Sequence, residues 1–474
     1  MKLLNDHWTY KIDALGYGDF SNRLCEVLLN ANMPAAITIS GRWGAGKTSM
    51  LRYVMGALGG EPSTSLSILG TKSNGNAETF KLSTDVKEFD DNDLKQIWTV
   101  WFNPWQYQNE ENPVIPLLHE IRNQIKGSEK FKQWLTDKDA NLDAIEAGFY
   151  TLGSLIDDTI NLSLGRKVAS SGSQFFAQME KRDENRSQKR FTNAGNAQLF
   201  YLEFEKAISQ IVKEDGRLII FIDDLDRCSN ETVFSLLESI KLYLSCRQCI
   251  FVFGLDRVHI ESALQQAAGY NMDEARQYIE KLFQANFYLP RPDEANLQGF
   301  IEQCLTKLQI AGNQDKRKEL AKQLIKWLPE NPRMIKIALN GLALYKSMLD
   351  NSLTEGNEWL LVHLFRVFYP DIYELLQQNP ADTLLKIEKL MGGEIDYADQ
   401  QLAYIHYILE NPIKLSPQSL EDVNNSNNKA EKMDESRFRK IRANAWQAET
   451  LHAFQGAFLD AFIEDPENLK NYLI

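Results

Sequence analysis

The sequence predicts an α/β protein with a parallel sheet followed by an all-α region, and three observations carry that prediction. An apolar strand, Ala35–Ser40, runs straight into the loop Gly41-Arg42-Trp43-Gly44-Ala45-Gly46-Lys47-Thr48 and then into a stretch of helical periodicity from Thr48 to Met55. A second apolar strand, Leu218–Ile222, ends in Asp223-Asp224-Leu225-Asp226-Arg227. Beyond Pro292, apolar residues recur at helical spacing in 297–309, 318–328, 333–348 and 357–376.

The intervening elements follow in order. A glycine-, serine- and asparagine-rich stretch from Gly59 to Glu78 reads as a surface loop. The aromatic run Ile97-Trp98-Thr99-Val100-Trp101-Phe102 then reads as a strand ending at Asn103-Pro104-Trp105. Residues 110–200 read as an inserted helical module with a polar, mixed-charge segment at 181–190. Leu218–Ile222 and Cys249–Phe253 are continuous apolar runs, as expected of parallel strands covered on both faces. Asn286–Pro290 supplies a last strand, and the polar segment from Ser416 to Glu435 breaks the helical region. The expected boundaries are a core in two parts, 1–109 and 201–292, around the insertion 110–200, then a helical lid 293–415, a linker 416–436 and a C-terminal helical segment 437–474.

Composition limits the function classes. With 474 residues, 43% of them hydrophobic, the chain can bury a large core. A formal charge of -13 argues against a protein that coats duplex DNA, since that affinity comes from lysines and arginines displacing counterions. The scattered cysteines (Cys25, Cys228, Cys246, Cys249, Cys304) have no framework spacing, so reduced thiols and a cytoplasmic location are expected. No run approaches the roughly 18 apolar residues of a bilayer span, so no membrane span is expected.

The loop 41–48 carries the strongest chemical signal. Its glycines let successive backbone N–H groups point at phosphate oxygens, and the helix behind it adds the positive end of its dipole. Gly41, Trp43, Gly44, Ala45, Gly46, Lys47, Thr48 and Ser49 are the expected nucleotide-binding residues. Lys47 is expected between the β- and γ-phosphates and Thr48 on Mg²⁺. Such a site needs a carboxylate at the end of a neighbouring strand. Asp223 is the expected metal carboxylate, acting through water, and Asp224 the group that polarises the attacking water. Capping of the next helix is the alternative for that acidic pair.

Further candidates are less specific. Asp256, after Cys249–Phe253, is placed to sense the γ-phosphate or simply to cap a helix. Arg333, in the first turn after Asn331-Pro332, can present a planar guanidinium to phosphates or be a surface charge at a helix start. Tyr17 is a base-stacking candidate. The pair Cys246 and Cys249 lacks the second half of a zinc or redox site and reads as core packing. Trp98, Trp101, Phe102, Trp105 and Tyr107 read as sheet packing, with base stacking as the alternative, and the basic residues of 181–190 as a solvated face, with nucleic-acid docking as the alternative.

These residues together resemble the KAP family of P-loop NTPases, in the division that also holds AAA+ and NACHT proteins. The resemblance lies in the loop at Gly41, Trp43, Gly44, Gly46, Lys47, Thr48 and Ser49, and in Phe102, Asn103, Trp105 and Tyr107. Asp223, Asp224, Asp226 and Arg227, the block Tyr278–Gln284 and Asn331-Pro332-Arg333 complete it. It implies a P-loop NTPase sheet in the order 5-1-4-3-2, a nucleotide at the carboxyl edge of that sheet, and ATP and Mg²⁺ as cofactors.

The expected activity is ATP hydrolysis that switches or assembles a protein complex, with effector or adaptor proteins as partners and a homo-oligomer possible. Arg227, Arg257 and Arg276 are candidates for an arginine offered to a neighbouring subunit. Bacterial members of the family resemble components of anti-phage defence systems. The rival expectations are a nucleic-acid-dependent motor ATPase and an ATP-bound scaffold that does not hydrolyse.

Overall fold

The computed structural model describes residues 3–4, 13–60, 89, 94, 96–110, 114–128, 130–131, 147–151, 193–212, 216–241, 246–310, 312–354, 356–393, 401–402, 405–406, 409 and 448–473. The segments 181–190 and 416–436, singled out above for their charge and polarity, lie outside the described residues. The chain divides into two compact units, Trp8–Pro290 and Met1–His7 with Arg291–Ile474.

In the first unit, five strands among the described residues form one parallel sheet: β1 (Ala35–Ser40), β2 (Ile97–Phe102), β3 (Arg217–Ile222), β4 (Cys249–Leu255) and β5 (Ala285–Tyr288). The spatial order β2-β3-β4-β1-β5 is the 5-1-4-3-2 order expected above. Every strand pair is parallel, with Ile37 opposite Val252 and Phe221 opposite Val252 in the central registers.

Alternation along these strands divides the side chains between two faces. Val100, Phe102, Ile220, Ile222, Phe251 and Phe253 enter one core, with helices α3 (Val114–Gly127), α4 (Asn193–Val212), α5 (Asn230–Lys241), α6 (Arg257–Ala268) and α7 (Met272–Leu282). Ile37, Ile39, Ile219, Phe221, Ile250 and Val252 enter the other, with α1 (Gly18–Asn30) and α2 (Lys47–Ala57). Continuous apolar strands are required because neither face meets water. Helix α4 runs through the boundary expected at residue 200, and its Phe204, Ala207, Ile208 and Ile211 are buried in the first of these two cores.

The aromatic run of β2 is core rather than a base platform: Trp98, Trp101 and Phe102 are buried. Trp101 stacks on Phe221, and the Arg52 guanidinium lies 3.7 Å from its ring centre. All five cysteines are free and buried, and Cys249 opens β4. No helix among the described residues is long and apolar enough to cross a membrane.

The second unit is helical. Helices α8 (Glu294–Leu308), α9 (Gln314–Leu324), α10 (Pro332–Met348), α11 (Glu358–Phe368), α12 (Pro370–Gln378), α13 (Pro380–Met391) and α14 (Ala448–Phe462) share a core with Phe365, Phe454 and Phe458 at its centre. The pattern expected over 357–376 is two helices, because Pro370 cannot extend α11 and instead starts α12. Leu4 packs with this unit and not with the core, where residues 1–109 were expected. The reason is local: Leu4 exchanges backbone hydrogen bonds with the Asn340 side chain, its N–H donating at 2.7 Å and its carbonyl accepting at 2.8 Å.

His363 on α11 is buried, and one ring nitrogen meets the Ala338 carbonyl at 3.1 Å. Burial pushes its imidazole down to about 4 from an ordinary 6.5. A histidine kept neutral in the folded state contributes its full stability above the unfolded value. That stability drains away as pH falls from 6.5 towards 4, about 3 kcal/mol at the limit. Urea unfolding between pH 7 and pH 4 is expected to show this loss in the native chain, and a shallower one in His363→Gln.

Candidate functional site

The site is assembled at the carboxyl ends of β1, β3 and β4. Between β1 and α2 the loop turns on Gly44 and Gly46, whose φ values of 82° and 101° are left-handed and favour glycine. The Ala45 N–H donates to the Arg42 carbonyl, and the Gly41 N–H to that of Leu255 on β4, which fixes the loop to the sheet. Helix α2 starts at Lys47 and anchors itself by burying Met50, Leu51, Tyr53 and Val54.

Lys47 folds back over the loop and is 7% exposed. Its ammonium donates to the carbonyls of Gly41 at 2.8 Å and Arg42 at 3.3 Å, and to Asp226 Oδ2 at 3.3 Å. A Cβ on residue 41 would come within 3.3 Å of Lys47 Cγ and Leu289 Cβ, so the close passage of the lysine depends on Gly41. Thr48 Oγ1 donates to Asp223 Oδ2 at 2.6 Å. Ser49 follows in the first turn of α2, and Trp43, at the outer edge of the loop, is 51% exposed.

Asp223 ends β3 and is 2% exposed. Burial and the adjacent Asp224 carboxylate push it up to about 7, against the Thr48 hydrogen bond and the Lys47 charge, which pull it down. A carboxyl raised in this way gains from a bound cation, and the threonine hydroxyl beside it is a second oxygen ligand of the kind magnesium takes. Among the described residues no three His, Cys, Asp or Glu side chains could hold a metal by themselves. Magnesium bound together with nucleotide phosphate fits that donor set.

Asp224 has a left-handed backbone, φ 59°, uncommon outside glycine. Its carboxylate accepts from Asn103 Nδ2 at 2.8 Å and pairs with Arg227 Nε at 2.7 Å. Burial raises it while Arg227 and Asn103 lower it. Asn103 is itself oriented, because its Oδ1 accepts from the Trp105 N–H at the start of the helical turn Pro104–Tyr107.

Tyr17 lies beneath the loop rather than beside a base. Tyr17 is 1% exposed, and its hydroxyl donates to the Ala45 carbonyl at 2.8 Å. A Cβ on Gly46 would stand 3.3 Å from the Tyr17 ring, so this tyrosine buttresses the loop from below and offers no open face to a base. Asp256 accepts from the Val258 N–H and caps α6. Of the three arginines considered for a neighbouring subunit, Arg227 holds Asp224, while Arg257 and Arg276 both pair with Glu261. Arg333 is the second residue of α10 in the helical unit, where Asn331 caps the helix.

Three contributors were missed. Asp226 and Asn103 were legible only as parts of motifs. Gly254, on β4, carried a signal in a glycine inside an apolar strand. A Cβ there would lie 2.5 Å from Leu51 Cδ1 and 2.9 Å from Asp223 Oδ1. Gly254→Ala is therefore expected to cost about 1–3 kcal/mol of stability and to shift the Asp223 carboxylate. Urea denaturation checks the first and magnesium-dependent nucleotide binding the second.

Residues 17–349 match the KAP family P-loop domain. Over 173 residues the chain is 28% identical to the Phage T7 exclusion protein of Escherichia coli (strain K12), a match covering 35% of this chain and 23% of that protein. It is 30% identical over 169 residues to an uncharacterised protein of Methanocaldococcus jannaschii, covering 30% of this chain and 82% of the other. The solved Aeropyrum pernix ORC1 protein in complex with DNA aligns over 95% of this chain and 94% of its own at 11% identity, with a TM-score of 0.31.

Proposed function

The chain belongs to the KAP family of P-loop domains, and from that premise we propose that it hydrolyses ATP with Mg²⁺ and uses the turnover to switch or assemble a protein complex. The observation that carries the reading is the 2.6 Å hydrogen bond between Thr48 and Asp223 beside the Lys47 ammonium. Two oxygen ligands and a cation thus converge at one loop whose backbone is shaped for phosphate.

In this reading Lys47 takes the β- and γ-phosphate oxygens, and the loop N–H groups cradle the chain of phosphates. Thr48 and Asp223 would hold the magnesium, which supplies charge neutralisation at the transferred phosphoryl group. Asp224 would orient the attacking water. Its two oxygens are engaged by Asn103 and Arg227, so basal hydrolysis is expected to be slow and to rise when something frees that carboxylate. The same observation favours a second reading, in which ATP is held and barely hydrolysed and the bound state itself scaffolds partners.

A role in anti-phage defence is supported by the likeness to the Phage T7 exclusion protein, which reaches 23% of that protein's length. Phosphate release by purified protein with ATP and GTP, alone and with DNA, RNA or proteins encoded beside it, tests the proposal. ATP turnover stimulated by a protein supports the switch. Stimulation by nucleic acid with steep salt dependence moves the reading to a motor. Tight ATP binding without release under any condition moves it to the scaffold.

A further inference from the structure

We infer that Asp226 is the resting counter-charge of Lys47, displaced by incoming nucleotide phosphate, and that it sets the nucleotide concentration at which the site fills. The inference rests on the reading of 41–48 as the phosphate-binding loop.

An ammonium has three protons to donate, and Lys47 directs them at three acceptors: the carbonyls of Gly41 and Arg42 and the Asp226 carboxylate. A phosphate that takes Lys47 must replace one of them. The two carbonyls belong to the loop backbone, which is pinned by the hydrogen bonds from Gly41 to Leu255 and from Ala45 to Arg42. Asp226 is the side chain of the three, carried on the short helical turn Leu225–Arg227, and it is the one that can swing.

Charge points the same way. Lys47 and Asp226 are 7% and 6% exposed at 3.3 Å, so without nucleotide each is the charge that makes the other's burial tolerable. Once phosphate binds, the carboxylate faces an anion across the same ammonium at low screening, which raises the energy of the filled site. Asp223 and Asp224 do not share this role, because the first accepts from Thr48 and the second is held by Asn103 and Arg227.

The test is calorimetric titration of the full chain with ATP and ADP in EDTA, which removes the metal from the comparison. Asp226→Asn, similar in shape but uncharged, is expected to tighten both nucleotides by about tenfold. Asp226→Ser is expected to tighten them likewise, whereas Asp226→Glu, which keeps the charge, is expected not to tighten them. Without nucleotide, Asp226→Asn is expected to melt below the native chain and to gain more on adding ADP, a combination that general damage does not produce. Affinity in Asp226→Asn and Asp226→Ser equal to or weaker than native overturns the inference, and so does equal tightening by Asp224→Asn. Undiminished binding by Lys47→Ala would instead overturn the loop reading, and the inference with it.

Discussion

Lys47→Ala is expected to weaken ATP binding by about a hundredfold or more and to leave no measurable phosphate release. The argument starts from burial. At 7% exposure, with its ammonium drawn across the loop, Lys47 is the cation proposed to meet phosphate in a poorly solvated place. Removing one member of such a buried charged pair costs roughly 2–5 kcal/mol, which is about one and a half to four decades of affinity. The loss is compounded here, because Asp226 is then left facing the phosphates without the cation that neutralised it. Titration calorimetry measures the affinity, and circular dichroism checks that the variant remains folded. Lys47→Arg is expected to rescue little, since a planar guanidinium cannot retrace the path over Gly41 that the flexible lysine stem follows.

Asp224→Asn is expected to lower partner-stimulated phosphate release by about a hundredfold to ten-thousandfold while ATP affinity stays close to native. The substitution keeps an oxygen to accept from Asn103 and changes shape little, so the left-handed turn and the neighbouring Asp223 are preserved. It removes the charge that would orient water and the ion pair to Arg227. Single-turnover phosphate release separates this from a binding defect. A variant with native turnover would assign the water to another group, and Asp226, 3.3 Å from the Lys47 ammonium, would be the next carboxylate to test.

The two expected losses differ in kind, and that difference probes the site. The lysine variant is expected to fail to bind, the aspartate variant to bind and stall. The stalled form is also the one in which a partner that recognises the ATP-bound state should be retained, which makes it useful for isolating such a partner.

Much of the core could be read from consecutive residues. Leu218–Ile222 and Cys249–Phe253 were recognisable as strands because uninterrupted apolar runs of that length suit a sheet buried on both sides. The loop glycines were recognisable because the backbone they permit is a local property, and Gly44 and Gly46 do adopt it. Pro370 was equally local, yet its meaning was missed: the apolar period runs on from α11 into α12, and only the missing N–H and the ring break the helix.

The tertiary structure alone decided which side chains meet. Lys47 and Asp226 are 179 residues apart in the chain, Thr48 and Asp223 175, and Asn103 and Asp224 121. The sequence reading puts Asp223 and Thr48 on one metal, but nothing in the spacing of Asp224 and Asp226 says which carboxylate faces the lysine and which the asparagine. That depends on the left-handed turn at Asp224 and on the order in which β2, β3, β4 and β1 lie side by side. Tyr17 is the same lesson in reverse, an aromatic that local sequence leaves free to stack on a base and that packing puts beneath the loop. The strands, the phosphate loop and the acidic turn are legible locally, because each is written in neighbouring residues; the partnerships among their side chains come from parallel pairing of strands, which joins residues that the chain keeps far apart.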